Sequence, residues 1–216
     1  MLQYHSAHAI VRDGQWNALR HGHYAYYSTT ALTAMLASAG FRPRRAWDFS
    51  LYGGTVLMAA SAKADPQVSG DGSVESLVDM EQQAGVQDPA VVAGLQRAMR
   101  SSAEAVRNWL VEQRSADRNV LGYGAASRAV ALLRHAGADR SLLPAVVDAS
   151  PAKQGLRMPG TDIPIVSPGE LAARQPDAVL LLLADLMPEL RTDFPGVEAA
   201  GGQWVDATAL AQIAQG

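Results

Sequence analysis

Asn119-Val120-Leu121-Gly122-Tyr123-Gly124-Ala125-Ala126-Ser127-Arg128-Ala129-Val130 is the stretch whose reading decides the fold. A short apolar run meets two glycines one residue apart, and an alanine-rich segment with helical spacing follows at once. That pattern is a strand, a tight turn and the start of a helix. Glycine suits such a turn because it tolerates positive φ and lets a ligand approach the backbone. The N–H groups of a first helical turn, with the helix dipole, then favour an anion. Only G-x-G is present, and the third glycine position of the dinucleotide fingerprint holds Ser127. The motif reads equally as a ligand-binding loop and as plain strand-to-helix packing.

Downstream, strand and helix patterns alternate. After a helix over residues 125–136 ending at Gly137 come strands at 145–148 and 163–166 and a capped helix at 167–175. A fully apolar strand at 178–183 follows, then mostly helix over 187–200 and a last strand at 203–205. Alternation predicts a parallel α/β sheet, Rossmann-like, with right-handed crossovers and its ligands at the carboxyl ends of the strands. Tyr123-Gly124, Asp148 and Ala184-Asp185 fall at those ends.

Upstream, Asp88 and Pro89 restart a helical stretch over residues 73–114 that Gly85 interrupts. Val92, Leu95, Met99, Val106, Leu110 and Val111 form an apolar stripe on its second half, as in a long helix bridging two domains or a dimer surface. Residues 63–72 read as a linker. Before it, Ser28 caps a helix closed by Gly40, and strands at 41–49 and 55–60 flank a Gly-Gly turn and pair antiparallel. Residues 1–5 read as the tail of a strand whose partners lie elsewhere. The expected organisation is 1–62, the close of one α/β sheet; 63–117, linker and bridging helices; and 118–216, the Rossmann-like domain.

The chain has 216 residues, 48% hydrophobic and 18% charged, enough for a sizeable core. A net charge of −3 with no basic run argues against a nucleic-acid surface. With no cysteine there is no disulfide framework and no thiolate metal site. The longest apolar run, 178–184, is too short for a bilayer. No signal peptide is read at the N-terminus, so a soluble cytoplasmic protein is expected.

The candidate chemistry lies in two places. His21, His23, Tyr24, Tyr26 and Tyr27 form the densest polar-aromatic cluster. H-x-H lacks a third ligand, so no metal is expected, and a general base is the better use of an imidazole that titrates near neutrality. The competing reading is tyrosines covering a sheet edge beside solvated histidines. In the second place, Asp148 would take a ribose hydroxyl or cap a turn. Lys153 and Arg157, on a loop rich in Pro and Gly, would hold a diphosphate near the Gly122–Gly124 turn or lie solvated.

Gly122-Tyr123-Gly124-Ala125, then Pro151-Ala152-Lys153-Gln154-Gly155, then Pro159-Gly160-Thr161-Asp162-Ile163-Pro164-Ile165 resemble, in this order and spacing, the C-terminal domain of the S-adenosylmethionine-dependent C-methyltransferases that branch deoxysugars attached to dTDP. Arg20-His21-Gly22-His23-Tyr24-Ala25-Tyr26-Tyr27-Ser28 is similar to the same family's Tyr-His/Asp-Glu-His-aromatic stretch and the Tyr/Phe-Phe-Ser that follows it. The resemblance covers nearly the whole chain. It implies the C-terminal half of such an enzyme, as a fragment, a split subunit or a natural remnant. The cysteine-rich zinc domain and the S-adenosylmethionine loop that open family members have no counterpart.

By resemblance the histidine base maps to His23, with Tyr24 or Tyr26 as helpers, while the neighbouring glutamate and tyrosine positions hold Gly22 and Arg20. The same resemblance turns the Gly122–Gly124 loop and Lys153 toward a nucleotide-linked sugar or its anionic part, and Ser127 is a further substrate-binding candidate beside them. A homo-oligomer, or a partner chain supplying the other half, is the expected assembly. Two further readings stay open: a non-catalytic module for a nucleotide, sugar phosphate or partner, and a nicotinamide enzyme suggested by G-x-G and Asp148.

Overall fold

The computed structural model describes residues 1–19, 23–62, 69–183 and 186–213. Their contacts divide the chain into two units, Met1–Ala98 and Met99–Gly216, with the division inside one long helix. Among the described residues no helix is long and apolar enough to cross a membrane.

The first unit is built on a three-stranded antiparallel sheet of β1 (Leu2–His5), β2 (Phe41–Phe49) and β3 (Thr55–Ala62), in the order β1-β3-β2. The Gly-Gly turn brings β2 and β3 together as expected, with Phe49 opposite Thr55. Gly54 at φ +125° makes that turn. The strand at the chain start has its partner nearby, a correction to the reading of residues 1–5: Leu2 pairs with Met58 and His5 with Thr55. Ser6 then caps α1 (Ala7–Arg12), a short helix whose Ile10-Val11 pair hid it from helix propensity. Ser28 caps α2 (Thr29–Ser38), accepting from Ala31 N–H at 3.0 Å. Tyr4, Leu32, Val56, Met58, Val74 and Leu77 pack as one core, with α3 (Ser73–Gln83) laid on β2.

Asp88 restarts the helix by accepting Ala90 N–H, but a second break follows. α4 (Pro89–Val92) stops and α5 (Gly94–Ser115) begins across Ala93, in a stretch where Val91, Val92 and Gly94 all have low helix propensity. Leu95, Val106 and Leu110 of the predicted stripe are buried, whereas Val92 and Val111 are exposed.

The second unit carries the predicted parallel sheet: β4 (Val120–Tyr123), β5 (Val146–Val147), β6 (Ile165–Val166), β7 (Ala178–Leu181) and β8 (Gln203–Asp206), in the order β6-β5-β4-β7-β8. All residues of β4 and β7 are buried, as near-continuous apolar runs in a parallel sheet should be. Leu121, Tyr123, Val147, Val179, Leu181 and Trp204 lie in one cluster on one face. Connections run through α6 (Ser127–His135), α7 (Gly169–Arg174), α8 (Met187–Asp193) and α9 (Gly196–Ala199). α7 has no side-chain cap, since Pro168 occupies that position. Pro195 separates α8 from α9, and α10 (Ala207–Ile213) follows the last strand. The strand order reverses between β4 and β7, where such sheets open a crevice at their carboxyl ends.

Candidate functional site

Tyr27, at the end of the histidine–tyrosine segment, lies beside Ser6, just past the carboxyl end of β1. Ser6 forms a parallel bridge with Tyr27, and Ala7 N–H donates to Tyr27 O at 3.2 Å. Alternate side chains then pin the segment on two sides. Tyr27 packs against the core that holds Tyr4 and Leu32. Tyr26 packs against Ile10, Ala18 and Leu95, and its hydroxyl donates to Ala18 O at 2.6 Å. His23 is exposed, and its ring stacks on Tyr26 with centroids 5.3 Å apart and planes 29° from parallel. Tyr24 is wholly exposed. His21 lies outside the described residues, with Arg20 and Gly22. Among the described residues no three His, Cys, Asp or Glu side chains gather as a metal site.

Two supports of this segment carried no sequence signal. Glu81, 1% exposed, reaches from α3 to the start of α2, where Thr29 N–H, Thr30 N–H and the Thr30 hydroxyl all donate to its carboxylate. Negative charge at a helix N-terminus is favourable, and three donors satisfy the carboxylate. His5 Nε2 meets Gln15 Oε1 at 3.2 Å, and Gln15 Nε2 donates to Gly53 O at 2.6 Å. That pair ties the end of β1 to the Gly-Gly turn.

In the second unit the glycine turn is closed by the chain itself. Gly124 has φ +99°, and a Cβ there would meet Leu183 Cδ1 at 3.0 Å. Gly122 sits within β4, where a Cβ would press on Val146 and Leu143, so its smallness serves sheet packing. The N–H of Ala125 donates to Asp148 Oδ2 at 2.8 Å, and α6 starts at Ser127, two residues later than its alanines suggest, because Ala126 is extended. Asp148 also accepts from Ser150 N–H at 2.9 Å and from Lys153 Nζ at 3.0 Å. Gln154 Nε2 donates to Asp148 O at 3.1 Å. Burial alone would raise the Asp148 pKa, but the Ser150 N–H, the Lys153 ammonium and the Ala125 N–H together hold it below the usual carboxylate range. Tyr123, buried between Phe194 and Trp204, has its pKa raised by burial first and then by the charge of Asp148.

The structure thus brings Gly124, Asp148 and Lys153 together, with exposed Ser127 beginning the adjoining helix. It does not bring Arg157 to them. Residues 155–165 double back as a hairpin, with Arg157 bridged to Pro164 just before β6, at the amino end of the sheet. There Arg157 Nη1 donates to Asp162 Oδ1 at 2.7 Å and to Asp162 O at 2.9 Å, beside an open concavity of about 650 Å³ that Arg134 also lines. Lys153 and Arg157 share a loop but serve opposite ends of the sheet.

Residues 50–208 match the family described as the C-methyltransferase C-terminal domain. The chain is 29% identical over 201 residues to a protein named C-methyltransferase NovU, from Streptomyces niveus; the match covers 91% of this chain and 46% of that protein. The chain therefore spans a little under half the length of that curated relative.

Proposed function

The chain belongs to the C-methyltransferase C-terminal domain family, and from that premise we propose that it is the C-terminal half of an S-adenosylmethionine-dependent enzyme that methylates a carbon of a nucleotide-linked sugar or a related small molecule. The likeness to a protein named as a C-methyltransferase, running over 91% of this chain, carries the reading. Methyl transfer is the chemistry of the family; the acceptor and the base are our assignments.

The described residues do not offer a cradle for S-adenosylmethionine. The first unit has no glycine turn between β1 and α1, where Ser6 caps the helix directly. In the second unit the Ala125 N–H is already taken by Asp148, and Leu183 fills the space over Gly124. We therefore assign the methyl donor to a companion half of the enzyme. The outer edge of β1 pairs with no strand among the described residues, which suits such a partner.

What this chain supplies in our reading is the proton acceptor. His23 is exposed on an irregular segment, where a ring nitrogen can reach a C–H acidified by a neighbouring carbonyl. The proton moves to the imidazole and the electron pair stays on the carbon as an enolate. Tyr26 is no rival for this role, because its hydroxyl already donates to Ala18 O.

The test is hydrogen–deuterium exchange at the C–H beside the carbonyl of a dTDP-linked ketosugar, with the purified chain in D₂O and no methyl donor. Exchange that disappears in His23→Ala supports the base. Exchange that persists in the variant removes it. Calorimetric titration separates the halves: binding of dTDP without S-adenosylmethionine supports the assignment, and binding of S-adenosylmethionine by this chain alone overturns it.

A further inference from the structure

We propose that Tyr26 is the positioning residue of His23, a platform that fixes the imidazole plane without taking part in proton transfer; this rests on the reading of His23 as the base. An exposed histidine on a loop samples several rotamers, and a base that must meet one C–H gains from losing that freedom. Tyr26 supplies the restraint. Its ring lies 5.3 Å from the His23 ring at 29°, an offset stack. Its own ring is held by Ile10, Ala18 and Leu95, and its hydroxyl is anchored on Ala18 O at 2.6 Å. Ala18 is 1% exposed at the end of a short turn, Trp16–Ala18, so the anchor is itself buried.

The neighbouring tyrosines do not substitute for it. Tyr24 is wholly exposed and has no core to lean on. Tyr27 faces the other cluster. The arrangement separates two roles that a tyrosine beside a base can play. A helper that shuttles protons needs a hydroxyl available to the substrate, and a platform needs only a fixed ring. The Ala18 bond makes Tyr26 the second kind.

The experiment is ¹H–¹³C NMR of the His23 ring in the purified chain, assigned with His23→Gln, in wild type, Tyr26→Phe and Tyr26→Leu, alongside the ketosugar exchange assay. In Tyr26→Leu the ring-current shift of the His23 Cε1–H should vanish, and the exchange kcat should fall about 10- to 100-fold with KM little changed. Tyr26→Phe should keep the ring-current shift and recover most of the lost rate, since it retains the ring and loses only the anchor. Circular dichroism and Tm check the fold of each variant, and Tyr26→Met takes the place of Tyr26→Leu if the latter has not folded. The proposal is overturned if the folded Tyr26→Leu protein shows the wild-type His23 resonance, or if Tyr26→Phe is as slow as Tyr26→Leu. If His23→Gln exchanges at the wild-type rate, the base reading fails separately, and the stack stands as packing with no catalytic meaning.

Discussion

Asp148 Oδ2 and the N–H of Ala125 lie 2.8 Å apart, joining the end of β5 to the turn that follows β4 across 23 residues of sequence. One carboxylate thereby does inside the fold what a bound anion would do at the same turn. Asp148→Ala leaves that N–H, a second from Ser150 and the Lys153 ammonium without their acceptor. A destabilisation of about 1–3 kcal/mol is expected, because a buried donor loses its partner. Urea unfolding followed by tryptophan fluorescence measures it; a change within about 0.5 kcal/mol, the usual range for surface sites, would show the tie to be idle.

The same carboxylate sets an acid limit. Its folded pKa lies below the ordinary aspartate value of about 3.9. Its contribution is therefore complete above that value and is lost as pH falls through the lowered folded pKa. As pH falls below about 4, wild type should lose more stability than Asp148→Asn. Parallel acid titration curves for the two proteins would refute the linkage.

Glu81 caps α2 from a distance, and Ser28 caps it locally. Both are acceptors at one helix start, but Glu81 is buried and accepts from three donors of Thr29 and Thr30. Ser28→Ala should cost about 1 kcal/mol, the usual value of a lost cap. Glu81→Ala should cost more, about 2–3 kcal/mol, since it orphans two backbone N–H groups at once. Equal Tm losses in the two variants would contradict this ranking.

Tyr4 sets an alkaline limit. Burial pushes its phenol up to about 12, with a smaller opposing effect from its 2.9 Å hydrogen bond to Thr29. An unfolded tyrosine ionises near 10. The folded state thus holds its proton more tightly, and stability falls as pH rises from about 10 through the folded value. Tyr4→Phe should flatten the fall of Tm between pH 10 and 12, read together with absorbance at 295 nm. An unchanged slope in the variant would assign the alkaline loss to another group.

Gly54 abuts the first helix. A Cβ there would lie 2.3 Å from Ala9 Cβ, with φ at +125° besides. Gly54→Ala should lose about 2–4 kcal/mol, combining overpacking with backbone strain. Adding Ala9→Gly should return only the clash part, so the double variant falls between wild type and Gly54→Ala in denaturant midpoint. Full recovery would show that backbone strain contributes nothing.

How much of this was legible in the sequence follows from the range of the forces. The β4 turn, the apolar β7 and the Ser28 and Asp88 caps are set by residues a few positions apart, and their types and approximate places were readable. So was the pairing of β2 with β3 across one short turn. The start of α6 was misread because Gly124 at positive φ and Ala126 in extended conformation carry the turn two residues further than the alanines suggest. Glu81 looked like one more polar residue of a helix, and only the meeting of α3 with α2 makes it a cap 52 residues distant. At the candidate site, the sequence marked His23 and Tyr26 by type and crowding. Which tyrosine touches the imidazole was not readable, since the alternation of Tyr26 and Tyr27 between two clusters depends on where Ile10 and Leu32 lie. Lys153 and Arg157 were read as one pair because they share one loop, four positions apart; the reversal of residues 155–165 sends them apart.

The five strands of the second unit are not stitched with equal length. β4 with β7, and β7 with β8, run in register over four residue pairs, whereas β4 with β5 and β5 with β6 share two each. Amide exchange should therefore be graded across the sheet, slowest at 120–123 and 178–181 and fastest toward 165–166. Thermal fraying begins at the short margin and travels inward. It meets its first real obstacle at Asp148, whose carboxylate clamps the end of β5 to the turn that follows β4. A single side chain thus sets how far a local opening spreads before it becomes the unfolding of the whole sheet.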